Sequence, residues 1–161
     1  MSNLALAWTA ARLRVLRLLG RPSSAYRHFS TTTAIGADAR PPSAHVGYIP
    51  IQLERDGEEL CRCVLWFGAD YAARRGYFAL GPREAELVFL ETPAPHRGRG
   101  YASQLLRQVR FDAAAYGLER LYARVWHSNA ASNAAFRKAS WNDHGLAIRP
   151  EKSRGLVLPP S

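Results

Sequence analysis

Cysteine is scarce in this 161-residue chain. Only Cys61 and Cys63 occur, too few and too close together for a disulfide scaffold, and two thiols do not complete a zinc site. Their alternation places both on one face of a strand, as buried free thiols. Lysine is almost absent: Lys138 and Lys152 are the only lysines among 22 basic residues. No uncharged apolar run approaches the ~18–20 residues of a membrane-spanning helix, which excludes an integral helical membrane protein. Acid is missing from the first 37 residues. What is present is ordinary for a folded chain. The hydrophobic fraction of 47% excludes wholesale disorder, and the length suits one domain with an appendage.

The formal net charge of +9 is unevenly spread. Residues 1–44 carry six arginines against Asp38, a net +5, and residues 45–161 carry sixteen basic against twelve acidic side chains, a net +4. Arg12, Arg14 and Arg17 interleave with Leu13, Val15, Leu16, Leu18 and Leu19 in a segment rich in Ser, Thr and Ala. This is the composition of a mitochondrial transit peptide able to form a basic amphipathic helix. Arg27-His28-Phe29-Ser30 has the pattern of a matrix-peptidase cut. The expected address is the mitochondrial matrix, with the cytoplasm as the alternative. The expected division is a basic segment over 1–44, ending in the linker Arg40-Pro41-Pro42-Ser43, and a domain over 45–161. The arm lacks a nucleic-acid-binding module, so a nucleic-acid partner is not expected.

Within the domain, Val46–Leu53 and Glu59–Phe67 flank Asp56-Gly57, a hairpin signal. Gly76–Leu80 and Glu86–Thr92 flank Gly81-Pro82-Arg83 as a second hairpin. Tyr101, Leu105, Val109, Ala113 and Tyr116 share one helical face, with Gly117 beyond the end. Arg120–Trp126 alternates as a strand, and Asn129–Ala139 is a short Ala-rich helix capped by Ser128 or Asn129. Gly145–Ile148 and Gly155–Leu158 suggest a last short hairpin. Antiparallel strands followed by helix, strand, helix and strand make a mixed α/β (α+β) layer with at least one crossover.

Arg97-Gly98-Arg99-Gly100-Tyr101-Ala102 lies between a strand and a helix. Two glycines let the backbone turn tightly, and the free amides at the helix start form an anion cradle. No Gly-Lys-Ser/Thr follows, and the third glycine of a dinucleotide fingerprint is missing. Arg97, Gly100 and Ala102 match the acetyl-CoA signature of the GNAT N-acetyltransferase superfamily. A second block of that family matches Asn129, Ser132, Phe136, Lys138, Ser140 and Trp141 at its spacings. The sequence therefore resembles this family over about Gly76–Leu158.

The resemblance implies a GNAT-like, mostly antiparallel central sheet flanked by helices, with two splayed strands and acetyl-CoA wedged between them. Family members usually place two helices between the first two strands; here either those helices are absent and the N-terminal half is reduced, or residues 1–44 supply them and Val46–Leu53 is already the second strand. The pyrophosphate would sit on the amides of Arg99, Gly100, Tyr101 and Ala102, with Arg97 and Gly98 in the same loop. The pantetheine would pair with Leu90, Glu91 and Thr92, and Asn129, Ser132 and Phe136 would complete the cofactor side. Glu86 occupies the spacing of the family's general base, which an ammonium acceptor needs before it can attack a thioester; Glu91 is its rival. The Leu90 N–H is the candidate oxyanion donor. Many members carry Tyr where this chain has Phe136, so the leaving thiolate needs another acid, Tyr122 or water.

The expected activity is transfer of acetyl from acetyl-CoA to a primary amine, on a protein, peptide or small molecule, in a ternary complex and without a metal. The alternatives are a non-catalytic acyl-CoA-binding protein and a ribosome- or nucleic-acid-associated accessory.

Overall fold

The structure is a computed structural model, and it describes residues 23–34, 47–74 and 77–150. Six strands form one sheet: β1 (Ser23–Thr32), β2 (Tyr48–Arg55), β3 (Glu58–Trp66), β4 (Glu84–Glu91), β5 (Arg120–Trp126) and β6 (Asn142–Pro150). Their spatial order is β2-β3-β4-β5-β1-β6. All neighbours are antiparallel except β4 and β5, which are parallel. The helices are α1 (Gly68–Arg74), α2 (Tyr101–Ala115) and α3 (Ala130–Lys138). The mixed sheet flanked by helices agrees with the fold class expected from the sequence.

The hairpin at Asp56-Gly57 forms because both turn residues take positive φ, 54° and 78°, a twist that suits a two-residue connection. It pairs β2 with β3 and turns Ile49, Ile51 and Leu53 of β2, and Cys61, Cys63 and Leu65 of β3, inward. Both cysteines are buried and free. Burial pushes their thiol pKa values up. Leu105, Leu106, Val109 and Ala113 of α2 cover this face together with Ala135 and Phe136 of α3.

The last turns of α2 and α3 close in the same way. Gly117 N–H donates to the Ala114 carbonyl (2.9 Å) and Leu118 N–H to Ala113 (3.0 Å). Ser140 N–H donates to Arg137 (3.0 Å) and Trp141 N–H to Phe136 (3.1 Å). This is the Schellman pattern, whose pivot favours glycine. Gly117 supplies it at φ 75°, but Ser140 is held at φ 60°. A left-handed non-glycine residue costs about 1–2 kcal/mol, less the extra entropy a glycine loses on folding. Ser140→Gly is therefore expected to raise the melting temperature by about 2–4 °C; a lower Tm in a thermal melt would contradict this.

Three sequence expectations change. The expected division leaves residues 1–44 outside the domain, yet β1 lies inside the sheet, antiparallel to β5 on one side and β6 on the other, and Tyr48–Arg55 is the second strand, as in the alternative in which residues 1–44 contribute to the fold. Residues 1–22 and the linker at 40–43 lie outside the described residues. Residues 77–80 contain a single bridging residue, Phe78, and no strand. Their donors are taken: Tyr71 Oη accepts the N–H groups of Tyr77 (3.0 Å) and Phe78 (2.7 Å), and both edges of β4 already carry β3 and β5. Residues 145–148 belong to β6 and pair with β1, not with 155–158, which lie outside the described residues.

β1, β6 and α3 are tied together at Asp143. Its carboxylate accepts from Arg27 Nη1 (3.0 Å), Arg137 Nη2 (2.9 Å) and the Gly145 N–H (2.9 Å). Burial works against ionisation of Asp143, but the Gly145 N–H and the two guanidinium groups outweigh it and lower its pKa.

Candidate active site

The parallel ladder between β4 and β5 runs only from Glu84↔Arg120 to Leu87↔Ala123. Beyond it the two strands no longer pair with each other. On its other side β4 carries a bulge: the register with β3 passes from Val64↔Val88 to Arg62↔Glu91, three steps on β4 against two on β3. Phe89, within the bulge, has φ 53°, an unusual conformation for a bulky residue and one that re-aims the backbone. The result is a gap at the carboxyl ends of two parallel strands, where ligands enter α/β layers.

α2 points its N-terminus into this gap. Gly100 caps it at φ 82°, Gly98 precedes it at φ 76°, and the first turn holds no acid. A Cβ on either glycine would meet nothing within 4 Å, so what these positions require is the left-handed backbone. The helix start thus offers open amides and the positive end of a fifteen-residue dipole. Arg97 Nε donates to the Thr92 carbonyl (3.0 Å), clamping the loop to the end of β4. Thr92 Oγ1 donates to Cys61 Sγ (3.2 Å), anchoring the same point to β3.

A cleft of about 620 Å³ opens here, within the usual size of a ligand site. Of the expected cofactor residues, Leu90, Glu91, Thr92, Arg97, Gly98, Gly100, Tyr101, Ala102, Asn129 and Ser132 line it. Two do not. Arg99 is exposed beside the loop. Phe136 lies behind the cleft wall, 2% exposed, stacked on Phe29 at 4.9 Å and edge-on to Trp141 at 5.0 Å. Asn129 Oδ1 accepts the Ser132 N–H (3.1 Å) and so caps α3. The rival base Glu91 is exposed and paired with Arg62 (2.7 Å).

His96 and Lys138 also line the cleft. His96 is buried, with Nε2 3.0 Å from Glu58 Oε1, which couples the glycine loop to the β2–β3 hairpin. A histidine before a glycine turn carries no sequence signal that would separate this position from a loop residue.

Glu86 sits on the opposite face of the sheet, in register with Trp66 of β3 and Tyr122 of β5. It is 1% exposed. Tyr71 of α1, Phe78 and Tyr122 pack together on this face, and Arg124 Nε lies 3.9 Å from Glu86 Oε1. Burial raises the pKa of Tyr71, and the Glu86 charge adds to it. Tyr122 is also raised, first by burial, and its hydroxyl donates to Glu84 (3.1 Å). It does not line the cleft. His28 of β1 is lowered to about 4 by burial, then by the charges of Arg124 and His144. The unfolded chain takes up this proton near pH 6.5, whereas the folded chain resists it down to about pH 4. Stability contributed here is present above pH 6.5 and is lost progressively as pH falls towards 4. The melting temperature is expected to fall over that window, and to fall less steeply in His28→Gln; an equal slope in both proteins would contradict the assignment.

The model of the acetyltransferase (GNAT) family matches residues 20–141. This chain belongs to the GNAT acetyltransferase family. The matched region begins ahead of β1 and covers the glycine loop, α2, β5 and α3. No curated protein matches the sequence. Among solved structures, the chain is similar to a GNAT-family protein of Novosphingobium aromaticivorans (16% identity, TM-score 0.49, covering 79% of this chain and 63% of that one). It is also similar to a GNAT-family acetyltransferase of Colwellia psychrerythraea (15%, TM-score 0.49, 85% and 59%). A third is a GCN5-related N-acetyltransferase of Sphaerobacter thermophilus (16%, TM-score 0.48, 92% and 58%). This GNAT chain spans about three fifths of the length of these structures.

Proposed function

We propose that this GNAT chain transfers an acetyl group from acetyl-CoA to a primary amine by direct attack in a ternary complex. The observation that carries the reading is the gap that opens between β4 and β5 beyond Leu87↔Ala123, with the open N-terminus of α2 on one sheet face and, in the paired stretch just before it, the buried carboxylate of Glu86 on the other. The cleft chemistry fits a CoA diphosphate: left-handed Gly98 and Gly100 leave open space before the α2 amides, and Arg97 and Lys138 add positive charge. Leu90–Thr92 would pair with the pantetheine amides, and Pro93 and Pro95 end that strand. Glu86, directly or through water, accepts the proton of the acceptor ammonium. The free amine then attacks the thioester carbon. The Leu90 N–H, at the bulge, stabilises the oxyanion; the adduct nitrogen gives its second proton to water, and collapse expels the thiolate, which takes a proton from water in turn.

The experiment is release of free thiol from acetyl-CoA by the full chain across a panel of primary amines. Release that depends on the amine supports the proposal. A second reading, acyl-CoA binding without turnover, is favoured by Phe136, which lies in the core and has no proton to donate. CoA binding with no thiol release for any amine would select it.

A further inference from the structure

Arg124 is a mostly buried cation whose Nε makes no hydrogen bond and whose ion-pair partner is Glu86. It lies on β5 one residue past the last β4/β5 pair. Its guanidinium carbon is 3.2 Å from the centroid of the Tyr77 ring and 4.4 Å from that of Tyr26. The side chain is only 12% exposed, and Nε is buried without a hydrogen bond. Its nearest acid, Glu86, lies 3.9 Å away, close enough for charge attraction but beyond hydrogen-bonding distance. A guanidinium carries five N–H donors in a planar fork suited to a carboxylate, and leaving one of them, Nε, buried and unused is costly. The stacking rings fix the plane of the fork, so the orientation is built before any ligand arrives.

We propose that Arg124 receives a carboxylate carried by the acceptor, and that the acceptor is a free amino acid with its amine towards Glu86 and its carboxylate towards Arg124. This rests on the N-acetyltransferase reading. The acid and base of the protein stand side by side with opposite sign to the two ends of an amino-acid zwitterion. Tyr26 packs against Trp126 with centroids 4.4 Å apart and the rings tilted by 36°, and these rings give an apolar wall for a side chain. A protein N-terminus, whose neighbouring carbonyl is an amide, brings Arg124 no carboxylate beyond that of Glu86.

The test compares phenylalanine, phenylalaninamide and phenethylamine as acceptors in the thiol-release assay. Phenylalanine is expected to show a KM at least about 10-fold lower than the other two, the scale of one charged hydrogen-bonded pair. Arg124→Met is expected to reduce the kcat/KM ratio of phenylalanine to phenethylamine by at least about 10-fold, and Arg124→Lys, which keeps charge but not the fork, to reduce it partially. A calorimetric titration with N-acetylphenylalanine reads the same site without turnover, and should be at least about 10-fold weaker for Arg124→Met. If no amine is turned over but this Arg124-dependent binding persists, the transferase reading falls and the carboxylate site stands. The inference is overturned if phenylalaninamide or phenethylamine matches phenylalanine in the wild type. It is also overturned if both Arg124 variants keep the preference or, without turnover, if N-acetylphenylalanine binds wild type and variants alike.

Discussion

A chain that begins at Ser30, as a cut at the Arg27-His28-Phe29-Ser30 pattern would produce, is expected not to fold into this sheet. β1 lies between β5 and β6, and its pairing with β5 runs from Tyr26↔Trp126 to Thr32↔Arg120. The cut would remove Ala25 and Phe29, exposed by only 4% and 0%, together with the Arg27–Asp143 ion pair. Loss of one buried Phe side chain alone costs about 3–5 kcal/mol, and a domain of this size has about 5–15 kcal/mol in total. The missing stretch also leaves ladder donors and acceptors of β5 and β6 unpaired beside the core. Circular dichroism and a thermal melt should show no cooperative transition. Phe29→Ala in the full chain should give the partial version, a loss of about 3–5 kcal/mol. A Ser30 chain melting cooperatively within a few degrees of the full chain would refute this account. We propose that, if the basic N-terminal segment is a mitochondrial leader, its processing site lies ahead of Ser23.

Glu86→Gln is expected to lower kcat/KM for amine acetylation by about 10²–10⁴, the range for loss of a positioned general base. The amide keeps the shape of the side chain and cannot accept the ammonium proton. Because Glu86 lies on the sheet face opposite the cleft, CoA affinity should be unchanged, so the loss appears in the acceptor reaction alone. The defect should shrink as pH rises far enough to deprotonate the amine in solution. The measurement is steady-state thiol release across pH with a CoA titration as control; wild-type turnover by Glu86→Gln at all pH values would eliminate Glu86 as the base.

Local signals were legible in the sequence, and non-local ones were not. Asp56-Gly57 and Gly98–Gly100 could be placed because a left-handed backbone needs particular residues whatever surrounds it. The strand Arg120–Trp126 was readable from its alternation, and the observed limits are the same. β1 was not, because its buried positions, Ala25, Phe29, Ser30 and Thr31, include small and polar residues and run on without an apolar alternation. Its strand state depends on β5, some ninety residues away in the chain. The segment 77–80 has the composition of a strand, but Tyr71 takes its donors. In the site, the glycine loop and Asn129 carry their own signatures, whereas Phe136 matches the family spacing and yet stacks on Phe29 in the core. The alternation puts Arg124 on one strand face with Tyr122 and Trp126, but its contacts with the Tyr26 and Tyr77 rings come from distant segments and have no local signal.

The most direct test of the account is a calorimetric titration of CoA into the full chain and into Gly100→Val. Gly100 caps α2 at φ 82° with open space before it. Valine is strained there and would project into the space assigned to the diphosphate. The account predicts a 1:1 complex with a Kd of about 1 μM–1 mM for the wild type and at least about 10-fold weaker binding for the variant. No binding of CoA to the wild type, or equal affinity in both proteins, would contradict it.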